Sequence, residues 1–168
     1  MMGMDTVFRR LMMKKWGVIL SLIFLISVIS GCSEEEYTKK TNEKFTGFVE
    51  NVYTEATATQ KNVKETVKRA ESGEYSSVKA SNQIGIAVNM NEQIEEDLIR
   101  HNYLTTENEK EYDKLKEAIS ERKSALALIQ GYYDENRKKK EWLDEGLESL
   151  EVAYEKIEEV HEALQKKK

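Results

Sequence analysis

The 168-residue sequence has no proline, a single cysteine and two histidines, and only 8% of it is aromatic. Without proline, no residue forces a helix to stop, so turns fall to glycine, asparagine and capping side chains. One cysteine, Cys32, excludes a disulfide framework. A Gly-rich phosphate loop and a Cys/His cluster are also missing, so the sequence predicts no enzyme, no cofactor and no metal centre.

One long hydrophobic run is present, from Trp16 to Ile29, followed by Ser30, Gly31 and Cys32 and preceded by Arg9, Arg10, Lys14 and Lys15. A spanning helix needs roughly 20 apolar residues to cross about 30 Å of hydrocarbon, and this run is shorter. A positive flank, a short apolar core and small residues before a cleavage point are the parts of a secretory signal. Ile29-Ser30-Gly31-Cys32 resembles the lipobox of bacterial lipoproteins. The resemblance implies a thioether between Cys32 and diacylglycerol, cleavage between Gly31 and Cys32 by a lipoprotein signal peptidase, and Cys32 as the mature N-terminus. The reason for cysteine is physical: a thiolate is a better nucleophile towards a lipid donor than a hydroxyl. Two acyl chains then hold a membrane where one is marginal. The expected organisation is a signal peptide over 1–31, a lipidated tether over 32–34 and a bundle domain over 35–168. A complete signal of this kind already begins at Met13, which makes Met13 an alternative start. An uncleaved signal anchor with an ordinary cysteine is the other reading of the segment.

Residues 32–168 carry 30 acidic and 22 basic side chains, a net charge of −8. That balance argues against nucleic acid, which needs a basic footprint. Close to half of these residues are Ala, Glu, Lys, Leu or Arg, the composition of long helices and coiled coils. Periodicity supports helices. Tyr37, Thr41, Phe45, Phe48, Val52, Ala56, Thr59, Val63, Val67 and Ala70 recur at steps of three or four, giving a first helix over about 35–71. Gly73 sits where a C-cap is expected, and Ser76 or Ser77 can open a second helix reaching about His101. Its stripe is Ala80, Ile84, Ala87, Asn91, Ile94 and Leu98, with Ile86 and Met90 standing off it as a partner face or a widened core. Thr106 and Glu109 form a capping-box pattern before a third helix, with Tyr112, Leu115, Ile119, Arg122, Leu126 and Ile129 inward and Gly131 as its stop. Arg122 is expected to snorkel outward. A fourth helix over about 137–166 points Leu143, Leu147, Leu150, Tyr154, Ile157, His161 and Leu164 inward.

The fold class is therefore all-α, an up-and-down helical bundle: four helices are preferred, with three long helices or a coiled-coil rod as alternatives. With four, the chain returns to the end where it started. The 71–75 loop and the 131–140 turn then share the far end. Glu158-x-x-His161 has the spacing used by di-metal bundles, but these need a second Glu-x-x-His, and Leu98 precedes His101.

One surface feature is a candidate for binding. Residues 130–142 hold two adjacent tyrosines, four consecutive cations and a tryptophan: Tyr132, Tyr133, Arg137, Lys138, Lys139, Lys140 and Trp142. Aromatic and arginine side chains supply interface energy, and turns carry function. Such a patch would meet a cell-wall polyanion or an acidic face of an envelope protein; the competing reading is core-capping aromatics beside solvated cations. A lipid-anchored helical bundle also resembles, in outline, the cell-wall-binding lipoproteins of Gram-positive bacteria. The function expected is a lipid-anchored binding or scaffold module at the extracytoplasmic face of the cell membrane, with its membrane contact through the N-terminal lipid. A homo-oligomeric coiled-coil lipoprotein, and a ligand- or metal-binding bundle, are the other classes.

Overall fold

In a computed structural model the backbone is described over residues 4–167 and the side chains over 34–167. The helices are α1 (Met4–Glu71), α2 (Ser77–His101), α3 (Glu109–Asp134) and α4 (Lys140–Gln165). The chain divides into two compact units, Met1–Lys40 and Thr41–Lys168. The signal peptide expected over 1–31, its Gly31–Cys32 cleavage site and the lipidated Cys32 lie outside the residues whose side chains are described. Among the residues whose side chains are described no helix is long and apolar enough to cross a membrane, and the 16–29 run lies outside them.

The unit Thr41–Lys168 is an all-α bundle of four helices. Each helix carries one apolar stripe too narrow to stand alone in water, so the stripes close on one another. Side-chain bonds fix the topology. At one end Tyr132 Oη donates to Glu71 (3.3 Å) and Arg137 Nη2 donates to the carbonyl of Tyr75 (3.0 Å), so the α1–α2 loop and the α3–α4 turn lie together. At the other end Asn42 of α1 meets Thr105, Glu107 and Asn108 of the α2–α3 loop, while Lys167 bonds Glu111 (2.9 Å). The up-and-down arrangement follows.

The core has two apolar halves. One gathers Val63, Ile84, Leu126, Ile129, Tyr132, Tyr133, Leu143 and Leu150. The other gathers Phe45, Val49, Val52, Leu98, Leu115, Ile119, Ile157 and Leu164. Val49 completes the α1 stripe, whereas Tyr37 at its start is 62% exposed.

Helix boundaries follow local chemistry. Gly73, at φ +82°, closes α1, with the Tyr75 amide bonded back to the Arg69 carbonyl (3.0 Å). Ser76 caps α2 by accepting from the Lys79 amide (3.2 Å). Two sequence expectations fail here. The Thr106/Glu109 capping box does not form, because Thr106 lies in a turn outside α3 and Asn108 takes the boundary position. The Asn108 side chain holds that loop instead, accepting from the Thr105 amide (2.9 Å) and donating to the Tyr103 carbonyl (2.7 Å). Gly131 does not stop α3 either. The helix runs on to Asp134 and is turned by Asn136 and Arg137, both at positive φ, so that α4 opens at Lys140. Gly131 serves packing: a Cβ there would lie 3.1 Å from the Trp142 ring.

Candidate functional site

The turn expected to present a basic and aromatic patch separates into core and rim. Tyr132 and Tyr133 are 3% and 1% exposed and belong to the apolar core, so they are not available to a partner. They stand at adjacent positions of α3 and share the core cluster with Ala70 of α1, Ala80 and Ile84 of α2 and Leu143 of α4. Burial raises the Tyr133 hydroxyl well above its ordinary pKa, and raises Tyr132 with the help of Glu71. The cations around them are largely engaged. Arg137 bonds the Tyr75 carbonyl, Lys139 stands 3.7 Å over the half-buried Trp142 ring, and Lys140 pairs with Asp144 (3.2 Å), which raises its pKa. Lys138 remains exposed. Of this turn's cations Lys138 and Lys140 are exposed, and Lys139 and Trp142 are half-buried.

Arg122 corrects the sequence reading most sharply. It does not snorkel outward; it is 1% exposed, at the level between the two apolar halves. A guanidinium cannot be buried there without partners, and two other helices supply them. Its Nη1 lies 2.8 Å from Glu55 of α1 and donates to Asn91 of α2 (3.1 Å), and its Nη2 donates to Glu55 (3.1 Å). Thr59 donates to the same Glu55 carboxylate (2.6 Å), and the Asn91 amide donates to the Ile119 carbonyl (3.0 Å). Asn91 and Thr59, already placed on inward stripes, were the legible trace of this layer; Glu55 lay one step off the stripe.

On the α1–α4 seam, Glu158 and His161 both serve Tyr53. The Tyr53 hydroxyl donates to Glu158 (3.3 Å), and its ring stacks on the His161 imidazole at 4.4 Å. The Tyr154 hydroxyl, 3.5 Å away, and the Glu158 charge push the Tyr53 pKa up to about 12. Among the described residues no group of three His, Cys, Asp or Glu is placed to hold a metal ion.

Two grooves run between helices. One, of about 400 Å³, lies between α3 and α4 and is lined by Ser120, Ser124, Leu128, Glu121, Glu145 and Glu148, among others. The other, of about 340 Å³, lies between α1 and α2 and is lined by Asn62, Thr66, Gln83, Ile86 and Met90, by Val63 and Ala87, and by Glu65, which pairs with Arg69 (3.0 Å). Residues 80–91 of α2 carry no charged side chain, in a chain that is 34% charged. Ile86 and Met90 are 54% and 39% exposed, so they are a presented face and not a widened core. At one end Arg69 closes the groove by donating to the Tyr75 hydroxyl (2.6 Å). The other end abuts the polar layer through Thr59.

Comparison with known proteins adds no name to this geometry: no family model, no curated protein and no solved structure matches the chain.

Proposed function

We propose that the protein is a membrane-anchored extracytoplasmic lipoprotein whose helical bundle acts as a non-catalytic binding or scaffold module. The observation that carries this reading is Ile29-Ser30-Gly31-Cys32 at the end of a short apolar run with a basic flank. Cys32 precedes the start of the bundle unit at Thr41 by nine residues. At no more than about 3.5 Å per residue, a lipid on Cys32 reaches the bundle by a tether of at most ~30 Å. The module would stand close to the headgroups.

The binding or scaffold role is supported by how the polar side chains are used. Lys114, Lys156 and Lys64 are spent on ion pairs between helices, and Arg122 on the buried layer. Groups committed in this way hold a rigid body together and leave its faces to do the recognising.

Metabolic labelling with palmitate tests the anchor. The native chain should incorporate label and shorten, and Cys32→Ser should abolish both. Unchanged labelling in the variant would overturn the lipoprotein reading. For the module, replacing Lys138 and Lys139 by Ser should reduce capture of wall polyanion or of an acidic envelope protein if the rim of the α3–α4 turn is the contact. Undiminished capture would move the contact elsewhere on the bundle.

A further inference from the structure

The structure assigns a covalent modification site to the α1–α4 seam: Tyr53 and Tyr154 are placed to be joined, ring carbon to ring carbon, by a one-electron oxidant of the haem-peroxidase class. The inference is independent of the lipid anchor and of any docking surface.

With a single cysteine, the chain has no disulfide to tie one helix to another. Two phenols offer a different bond. The Tyr53 and Tyr154 rings stand 6.0 Å apart, centre to centre, and 28° from parallel, and the Tyr154 hydroxyl donates to the Tyr53 oxygen at 3.5 Å. A tyrosyl radical carries its unpaired spin on the oxygen and on the ring carbons ortho and para to it. The para carbon is occupied by the side-chain stem, so coupling falls to the ortho carbons. Each of these is one bond from the carbon that bears the hydroxyl, so two hydroxyls in contact bring the reacting carbons near each other. Both side chains are half-buried, which leaves them open to oxidation from the surface while their neighbours hold them in place.

A phenol gives up an electron readily when its proton has somewhere to go. Here the Tyr53 hydroxyl donates to the Glu158 carboxylate (3.3 Å), so one line runs from Tyr154 through Tyr53 to Glu158. The His161 imidazole lies on the Tyr53 ring at 4.4 Å and 5° from parallel, which keeps that ring in the line. Tyr132 and Tyr133 are also in ring contact, but they are buried neighbours in one helix, and a bond between them would tie no two helices.

The step balances. Each tyrosine loses one electron to the oxidant and its phenolic proton by way of Glu158 to water. The two radicals pair at their ortho carbons, and each ortho hydrogen then passes as a proton through solvent to the oxygen of its ring, restoring both hydroxyls. The chain has lost two hydrogens, and the hydrogen peroxide that feeds the haem has become two waters. The bond ties residues 101 apart in the chain, α1 to α4. Closing so long a loop constrains the unfolded chain, so the linked protein should be harder to unfold.

The test treats the full chain, dilute in detergent micelles, with a haem peroxidase and equimolar hydrogen peroxide. The expected product is a monomer lighter by two hydrogens, with a blue fluorescence that tyrosine alone does not show and a raised urea midpoint. Tryptic digestion should yield residues 45–61 linked to residues 141–156. Tyr53→Phe and Tyr154→Phe keep the rings and should each abolish that linked peptide. Glu158→Gln keeps the size but not the charge of the acceptor and should slow linking severalfold, Glu158→Asp should restore part of the rate, and Tyr112→Phe should change nothing. Linkage through other peptides, coupling only between molecules through the exposed Tyr37, an undiminished rate in Glu158→Gln, or a lowered urea midpoint in the linked chain would each overturn the assignment. Failure of palmitate labelling would remove the anchor and leave this result standing, and absence of the linked peptide would remove the cross-link and leave the anchor standing.

Discussion

The two interhelical grooves differ in what lies along them. Between α3 and α4, carboxylates line the groove and ion pairs lace the seam: Lys156 with Glu117 (2.8 Å) and Glu121 (2.6 Å), and Lys114 with Glu159. Between α1 and α2 the charged pair on the lining, Glu65 with Arg69 (3.0 Å), lies within α1, and Asn62 and Gln83 make no side-chain hydrogen bond. The polar link below it comes from a third helix, where Arg122 of α3 reaches Glu55 on α1 and Asn91 on α2. One seam is held across its surface; the other is held from underneath and left open on top.

The largest way to break this contrast is to remove the support from underneath. Arg122→Ala leaves the Glu55 carboxylate, 20% exposed, without its cation, and a broken buried pair costs 3–5 kcal/mol. The partial exposure of Glu55 puts the expected loss at the low end, about 3 kcal/mol by urea unfolding. Replacing Arg122 by Met together with Glu55 by Leu should recover most of it, because neither charge is then left alone.

Close approach offers a medium-sized probe. A Cβ on Gly146 of α4 would lie 2.7 Å from Ile129 Cγ1 and 3.0 Å from the Ala125 carbonyl oxygen of α3. Gly146→Ala should therefore pry this seam apart and lose about 2 kcal/mol. The same change at Gly85 of α2 meets first the end of the flexible Gln130 side chain, at 3.1 Å. There the gain in helix propensity should win, stabilising by about 0.5 kcal/mol. Thermal unfolding of the two variants reads the difference in sign.

The smallest effect is electrostatic, and its pH dependence sharpens the comparison. Hydrogen bonds from Lys156 and Lys114 hold the Glu117 and Glu159 carboxyls below their ordinary range. A carboxyl with a lowered folded pKa contributes stability that is present above its unfolded value, 4.5, and is lost as pH falls through the folded one. Lys156→Met should thus destabilise slightly at pH 7 and converge on the native chain below pH 4.5. Asn62→Ala, which removes no charge, should show the same small effect at both pH values. Because these pairs are exposed, salt should shrink the Lys156→Met effect as acid does.

Much of the bundle was legible along the chain. The four helices, Ser76 as a cap, Gly73 as a stop and the return of the chain to its starting end all follow from stripe periodicity and turn chemistry, which are local properties. The resemblance of Ile29–Cys32 to a lipobox is local too, and it rests on the sequence alone. Other features needed neighbours that no window of sequence contains. Gly131 reads as a stop until Trp142 arrives against it. Tyr132 and Tyr133 read equally as a partner patch or as core caps beside a run of lysines until they pack in the core with residues of the other helices. Arg122 reads as a snorkelling residue until Glu55 and Asn91, 67 and 31 residues away, converge on it.

By itself, then, the sequence determined the helices, their inward faces, their number and the candidate anchor, because spacing along one helix sets which side chains share a face. Only the tertiary structure decided which polar groups on those faces are spent on one another and which stay free. A hydrogen bond between helices depends on rotation, depth and approach, and these are fixed when the four stripes pack together. That is why the Arg122 layer and the open amides of Asn62 and Gln83 emerge only in the folded bundle.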